Sequence, residues 1–283
     1  RPEVERNMFI GACNEEVEYG FTHGVYKVRH RSTCSKLNIL DTLWVLHMKF
    51  FADNTAKEAR GRLTIRGDQQ VESVDFDKYD LYAPVALKPS VFIVLVIAVQ
   101  FGLFITRVDI TKAFNLGELR HEVIIEVPVG FRDHPKYAPF GKDTVWQVMV
   151  ASYGLKQAAS AYYKRFAEAM LQRGYKRLGS DGCFWVKGAL GKDYIAFPIH
   201  VDDKIVVYSS QKVLDQFMQD LADAGFQAKV EGYDEILGIA CNYNRIEGWL
   251  ELSQRGMIDN TLAEFDLTKA NPRGVPCTPD SCK

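Results

Sequence analysis

Hydrophobic and polar positions along this chain change rhythm repeatedly, and each change predicts an element. Positions 43–50 and 57–67 are β-type runs around the turn pair Asp53-Asn54, so they predict a hairpin. Its second strand carries Lys57, Arg60, Arg62 and Arg66, a basic face that also suits a guarded sheet edge. Further strands are predicted at 103–108, 123–128, 145–150, 235–240 and 248–252. The runs 194–197 and 205–208 flank a short acidic centre and predict a second hairpin. Helical spacing is clearest at 158–173, where Tyr162, Phe166, Ala169 and Met170 share a face and Gly174 supplies the stop. Ser209-Ser210 offer N-caps to a helix over 211–224 that ends at Gly225, and 253–265 predicts another helix. The run 91–100 is apolar on every side, so periodicity cannot choose between strand and helix; a buried core element is expected. Segments 75–88 and 133–142 read as loops. Residues 1–40 are mixed, with Glu15, Glu16 and Glu18 on an exposed helix face, and regular structure is expected to stop near Thr268. Strands and helices intersperse without a βαβ rhythm, which predicts an α+β fold.

Composition narrows the class. The chain has 283 residues, 47% hydrophobic and 25% charged, which is the balance of a globular protein of one large or two ordinary domains. A net charge of -1 argues against a uniformly basic nucleic-acid binder but leaves room for a local basic face. The run 91–99 falls short of the ~20 apolar residues that a membrane helix needs. The charged start Arg1–Arg6 does not read as a signal peptide, so secretion is not expected. The six cysteines contain no CxxC pair and predict free thiols in a reducing compartment. The spacing of Cys13, His23, His30 and Cys34 matches no compact zinc pattern.

The candidate chemistry lies in three acids. Asp202-Asp203 stand at the tip of the second hairpin, and Asp109 ends the apolar strand 103–108. Taken alone, Asp202-Asp203 suit an ordinary polar turn. If the two strands are neighbours, the three carboxylates converge, and close like charges need a cation to coexist. Mg²⁺ takes such hard oxygen ligands, and two metals can stabilise the attacking and leaving oxygens of a phosphoryl transfer.

At these residues a family resemblance enters. Arg60-Gly61-Arg62-Leu63 with Arg66-Gly67 is similar to the "KARLVARG" finger strand of the reverse transcriptases of copia-type LTR retrotransposons. Leu81-Tyr82-Ala83-Pro84-Val85 resembles their "TFAPV", Val108–Phe114 their "MDVKTAF", and Glu126–Phe131 their "MxxPxGF". Ser152–Ala158 resembles "LYGLKQA", His200–Asp203 "YVDD", Leu237-Gly238-Ile239 "FLGI", and Leu252-Ser253-Gln254 with Thr278-Pro279 "LSQ…TP". The resemblance implies a right-hand polymerase with an antiparallel palm sheet. Its reverse transcriptase domain would span 1–283, with fingers at 1–100 and 115–150, palm at 101–114 and 151–240, and the start of a thumb or connection at 241–283. It implies that Asp109, Asp202 and Asp203 are the catalytic, metal-holding acids for Mg²⁺ or Mn²⁺. Arg60, Arg62, Phe114, Tyr153, Gly154 and Gln157 would bind the nucleotide, Phe114 as the gate against a ribose 2′-hydroxyl, while Leu237 and Gly238 support the primer. It makes 91–100 a buried helix. The implied partners are an RNA or DNA template with primer, deoxynucleoside triphosphates, and the ribonuclease H and integrase segments of a polyprotein, with no membrane. The implied location is a cytoplasmic virus-like particle or the nucleus.

Several residues depart from the pattern. His200 replaces an aromatic, Asn115-Leu116-Gly117 reverses the family's order, and Pro198 falls inside the strand that leads to the acids. Proline removes a ladder donor, so it is expected to disturb this hairpin. Two classes of function therefore stand open: an active RNA- and DNA-templated DNA polymerase, or a catalytically inactive relative that keeps the fold as a nucleic-acid-binding or structural module.

Overall fold

A computed structural model describes residues 3–50, 55–200 and 203–271; for Asp203 it describes the backbone only. The chain opens with helix α1 (Glu3–Thr22), strands β1 (Tyr26–His30) and β2 (Ile39–Leu40), and the predicted basic hairpin β3 (Thr42–Phe50) and β4 (Ala56–Ile65). Helix α2 (Lys88–Phe101) leads into β5 (Phe104–Ile110), followed by β6 (Glu118–Glu126) and β7 (Thr144–Val150). Next come α3 (Ala158–Gln172), β8 (Lys176–Leu178), β9 (Asp181–Gly188), β10 (Tyr194–His200) and β11 (Asp203–Tyr208). The last part holds α4 (Gln211–Asp223), β12 (Ala228–Glu231), β13 (Glu235–Ile236), β14 (Ile239–Asn244), β15 (Trp249–Ser253) and α5 (Arg255–Glu264). This is the expected α+β arrangement. The Asp53-Asn54 turn lies outside the described residues.

Two sheets carry the cores. In the order β1-β7-β6-β2, one sheet buries Val123, Ile125, Trp146 and Val148 against Val17 of α1 and Leu63 and Ile65 of β4. The other, in the order β12-β5-β11-β10-β9-β8, is antiparallel throughout. Its core combines Val94, Leu95 and Ala98 of α2, Phe166 and Met170 of α3, and Phe217 and Leu221 of α4. The predicted boundary at residue 100 falls at the end of α2, whose buried side belongs to this second core.

The ambiguous apolar run is a helix. Pro89 sits in the first turn, where a missing N–H costs nothing, and Gly102 closes the end in the left-handed conformation. The start is held from a distance: the buried Asp181 accepts bonds from Leu87 N (3.0 Å), Ser90 Oγ (2.5 Å) and Cys183 N (2.9 Å). Burial on all sides is corrected, however. Val91, Val94, Leu95 and Ala98 face the core, whereas Phe92, Ile93 and Val96 are 44%, 54% and 63% exposed. An amphipathic period is invisible when even the outward positions are apolar.

Three other expectations change. The start of the chain, read as mixed, is largely the 20-residue helix α1. The single strand predicted over 235–240 is a tight hairpin, because Leu237 (φ 50°) and Gly238 (φ 77°) both adopt left-handed backbone between β13 and β14. Ser210 is the N-cap of α4 but makes no side-chain cap bond, while Ser209 Oγ accepts from Tyr194 N at 3.0 Å.

Pro198 lies in an interior strand and does not break the hairpin. Ile195↔Tyr208 and Ala196↔Val207 on one side of it, and Ile199↔Lys204 and His200↔Asp203 on the other, keep the same register. Toward β9 the pairing runs to Pro198↔Phe184. Beyond that point the Ile199 carbonyl accepts from Ala86 N at 2.9 Å instead. Toward β11 the paired positions skip Phe197 and Pro198 and resume unshifted at Ile199, so the ladder is interrupted locally and no slip results.

Candidate active site

Asp109 lies one residue before the end of β5, and Asp203 opens β11 as its register partner. Register partners on adjacent antiparallel strands have Cα atoms ~4.5–5.5 Å apart. The strand adjacency that the three-acid reading needs is therefore present. Asp202 lies outside the described residues, as does the side chain of Asp203. Among the described residues no group of three or more metal-ligating side chains occurs.

On the other edge of β5, Lys229 of β12 is the partner of Asp109. The Lys229 ammonium stands 3.5 Å from the Asp109 carboxylate and 2.9 Å from Glu231, which also pairs with Arg107 at 2.8 Å. Charge thus alternates along this face. The hydrogen bond to Glu231, and then the charges of Glu231 and Asp109, raise the Lys229 pKa. The hydrogen bond from Lys229 lowers that of Glu231 despite its burial. The Asp109 side chain remains 27% exposed. A half-open hard-oxygen carboxylate already drawing a cation fits the donor set that Mg²⁺ or Mn²⁺ takes.

A second cluster forms where the two cores meet. Phe114 sits in a 3₁₀ turn (Ala113–Leu116) entered through Lys112, whose left-handed backbone (φ 50°) is uncommon for lysine. Lys112 Nζ is fastened to α1, 2.7 Å from Glu16 Oε2 and 3.4 Å from the Tyr19 ring centre. The Phe114 ring meets Tyr153 edge-on at 5.1 Å and Tyr162 at 6.5 Å. Arg62 lies 5.3 Å from the Tyr153 ring centre. Arg60, on the same face of β4, is exposed and bonds Glu58 at 3.2 Å.

Gly154 explains why this turn meets the hairpin so closely. Its φ is +93°, and a Cβ there would stand 2.0 Å from the Ile65 carbonyl oxygen. Tyr153 O accepts from Ile65 N at 2.8 Å, which joins the turn to the end of β4.

Arg62, Phe114, Tyr153 and Gly154 are thus brought together; Asp109 lies five residues before Phe114, on β5, and the backbone of Asp203 pairs with it. Gln157 is placed differently from expectation. It is 7% exposed, its oxygen accepts from Gln70 Nε2 and its nitrogen donates to the Asp75 carbonyl, each at 3.0 Å, so its amide is spent on neighbouring loops. Leu237 and Gly238 form the tip of a separate small sheet. Sequence reasoning missed Lys229 and Glu231, whose four-residue strand has only a weak alternation to reveal it.

The family model for reverse transcriptase (RNA-dependent DNA polymerase) matches residues 25–279. The chain belongs to this family. The retrovirus-related Pol polyprotein from transposon TNT 1-94 of Nicotiana tabacum is 28% identical over 272 residues, covering 96% of this chain and 20% of that one. The Pol polyprotein from transposon RE2 of Arabidopsis thaliana is 30% identical over 243 residues, covering 85% of this chain and 16% of that one. These relatives bear out the copia-type resemblance, and the chain spans a fifth or less of their length. A solved structure, "Structure of the foamy viral protease-reverse transcriptase dRH in complex with ds DNA", aligns over 94% of this chain and 38% of that one. The two are 10% identical, with a TM-score of 0.45. No helix among the described residues is long and apolar enough to cross a membrane.

Proposed function

We propose that this chain is the polymerase segment of a copia-type reverse transcriptase and adds deoxynucleotides to a primer 3′-hydroxyl on an RNA or DNA template. The observation that carries the reading is the register pairing of Asp109 with Asp203 on adjacent strands. Asp109, Asp202 and Asp203 would hold Mg²⁺ or Mn²⁺. When bound, the ions supply Lewis-acid stabilisation to the attacking and leaving oxygens. The primer 3′-hydroxyl would lose its proton to solvent as its oxygen bonds to the α-phosphorus and the bond to the bridging oxygen breaks, so that pyrophosphate leaves with that electron pair.

The chain's own groups orient that reaction. Arg60 and Arg62 offer planar guanidinium donors to the triphosphate from the hairpin β3–β4. Phe114, braced by Tyr153 and Tyr162, fills the space a ribose 2′-hydroxyl would need. Tyr153 and Gly154 border the incoming nucleotide. Gln157 acts by holding the turn rather than by touching the nucleotide, and Leu237-Gly238 support the primer end. In this reading the fingers are 1–100 and 115–150, the palm 101–114 and 151–240, and the thumb or connection begins at 241. Ribonuclease H and integrase segments would act beside it in a polyprotein, in a cytoplasmic particle or the nucleus. Pro198, which raised the inactive alternative, leaves the register of the acidic hairpin unchanged.

Primer extension on an RNA template with Mg²⁺ or Mn²⁺ tests the proposal. The parent protein is expected to extend, and Asp109→Asn and Asp202→Asn to lose extension by at least about 10³-fold, in keeping with an electrostatic role at the reacting oxygens. A folded parent that extends no primer at any metal concentration overturns it.

A further inference from the structure

Helix α1 reaches the turn that carries Phe114 through a shielded ion pair. Glu16, expected on an exposed face with Glu15 and Glu18, is instead turned inward, its side chain 13% exposed. Its Oε2 accepts from Lys112 Nζ at 2.7 Å, and the same ammonium lies 3.4 Å from the Tyr19 ring centre. Exposed ion pairs contribute little, whereas a charge-assisted bond shielded from water and backed by an aromatic face holds its geometry. The helix itself is a fixed support. Val17, next to Glu16, is fully buried in the core that contains Leu63 and Ile65 of β4. A Cβ on Gly61 of the same strand would stand 3.3 Å from Cys13 N and Sγ.

What this pair restrains is a strained backbone. Lys112 has φ 50° and ψ 44°, a left-handed conformation that costs an L-residue such as lysine. Its carbonyl accepts from Asn115 N at 2.9 Å, a bond that spans Ala113 and Phe114. At the far end Gly117 is pressed onto α3, where a Cβ would stand 2.7 Å from that of Ala161. Close packing thus sets one end of the turn, and the tether to α1 sets the other. A strained residue persists only where its surroundings over-determine it. Resting on the gate reading of Phe114 above, we propose that Glu16 is a positioning residue for sugar discrimination. Through Lys112 it holds the left-handed entry to the turn, and so fixes the plane in which the Phe114 ring meets Tyr153 and Tyr162. Without the tether the entry relaxes, the ring tilts from its two neighbours, and room opens for a 2′-hydroxyl.

Single-nucleotide extension with paired ribo- and deoxynucleotides tests this. Glu16→Ala is expected to raise ribonucleotide incorporation relative to deoxynucleotide about tenfold, the scale of one lost charge-assisted hydrogen bond. Its kcat for deoxynucleotide should stay within about twofold of the parent, since no group at the reacting atoms is removed. Structural damage alone lowers both substrates together and leaves their ratio unchanged, an outcome that overturns the inference. Adding Lys112→Asn to Glu16→Ala is expected to recover the parent's ratio, because asparagine tolerates left-handed backbone without a tether. A double variant no more selective than Glu16→Ala overturns it. If Glu16→Ala does not fold, Glu16→Gln, which keeps the length and loses the charge, carries the same comparison. Failure of both to fold assigns Glu16 to stability and overturns the inference. Phe114→Ala separates the two readings: a shifted sugar ratio there, with none in the Glu16 variants, overturns this inference alone. An unchanged ratio in Phe114→Ala, or a parent that extends no primer, overturns the underlying reading and this inference together.

Discussion

Phe114 illustrates how much one side chain's meaning depends on its neighbours. Two rings meet it at interplanar angles of 78° and 85°, edge contacts that fix its plane as well as its position. A ring held this way can discriminate by shape. Phe114→Ala is expected to raise ribonucleotide incorporation relative to deoxynucleotide, on the order of 10²-fold, the scale on which one apolar contact can separate such substrates. Single-nucleotide kinetics with paired ribo- and deoxynucleotides check this; unchanged sugar preference in an active enzyme removes the gate assignment. Phe114 and Asp109 stand out in the sequence because short motifs name them. Lys229 does not, because its contact with Asp109 comes from pairing across strands, which no local pattern records. Gln157 shows the opposite case: its motif was visible, but its buried amide partners, Gln70 and Asp75, lie more than 80 residues upstream.

Among elements, the join between the hairpin β3–β4 and the turn before α3 has the least tolerance. A Cβ on Gly154 would meet Ile65 O at 2.0 Å, and one on Gly67 would meet Gly154 O at 2.0 Å. Gly154→Ala adds a side chain in a backbone region that L-residues avoid and also forces the strand away. It is expected to cost about 2–4 kcal/mol, read by chemical denaturation. The start of α2 depends on a different device, a carboxylate delivered by β9. Asp181→Ala strands the Leu87 N–H and the Ser90 hydroxyl in the interior and should cost about 1–3 kcal/mol by the same measurement. Strands β3, β4 and β7 and helix α3 were readable because alternation or a 3.6-residue period survives in them. The Leu237-Gly238 turn was not, since a left-handed leucine has no sequence signal, and α1 was obscured by polar residues scattered around most of its surface.

At the scale of the whole molecule, acid stability should be set partly by Asp220. Burial pushes its pKa up, but donors from Gln216, Lys187 and Tyr175 outweigh that, and the net shift is downward. A carboxyl with a lowered folded pKa stabilises fully above its unfolded value near ~3.9, and this contribution is lost as pH falls through the folded value. Asp220→Asn should therefore lower the melting temperature at neutral pH and flatten its decline below about pH 4; parallel melting curves for parent and variant would refute the assignment. Cys183 makes little contribution to reactivity at neutral pH, because burial, with Asp181 next to it, pushes its thiol up to about 12.

The strand order β12-β5-β11 also has a consequence in time. Asp109 finds its two register partners 94 and 120 residues later in the chain, at Asp203 and Lys229. At ~5–20 residues per second on a ribosome, roughly 6–24 s separate the synthesis of Asp109 from that of Lys229. β5 has both edges bare until β11 is made and one edge bare until β12 is, so the nascent chain passes through a sticky, acid-bearing intermediate before this strand can be enclosed.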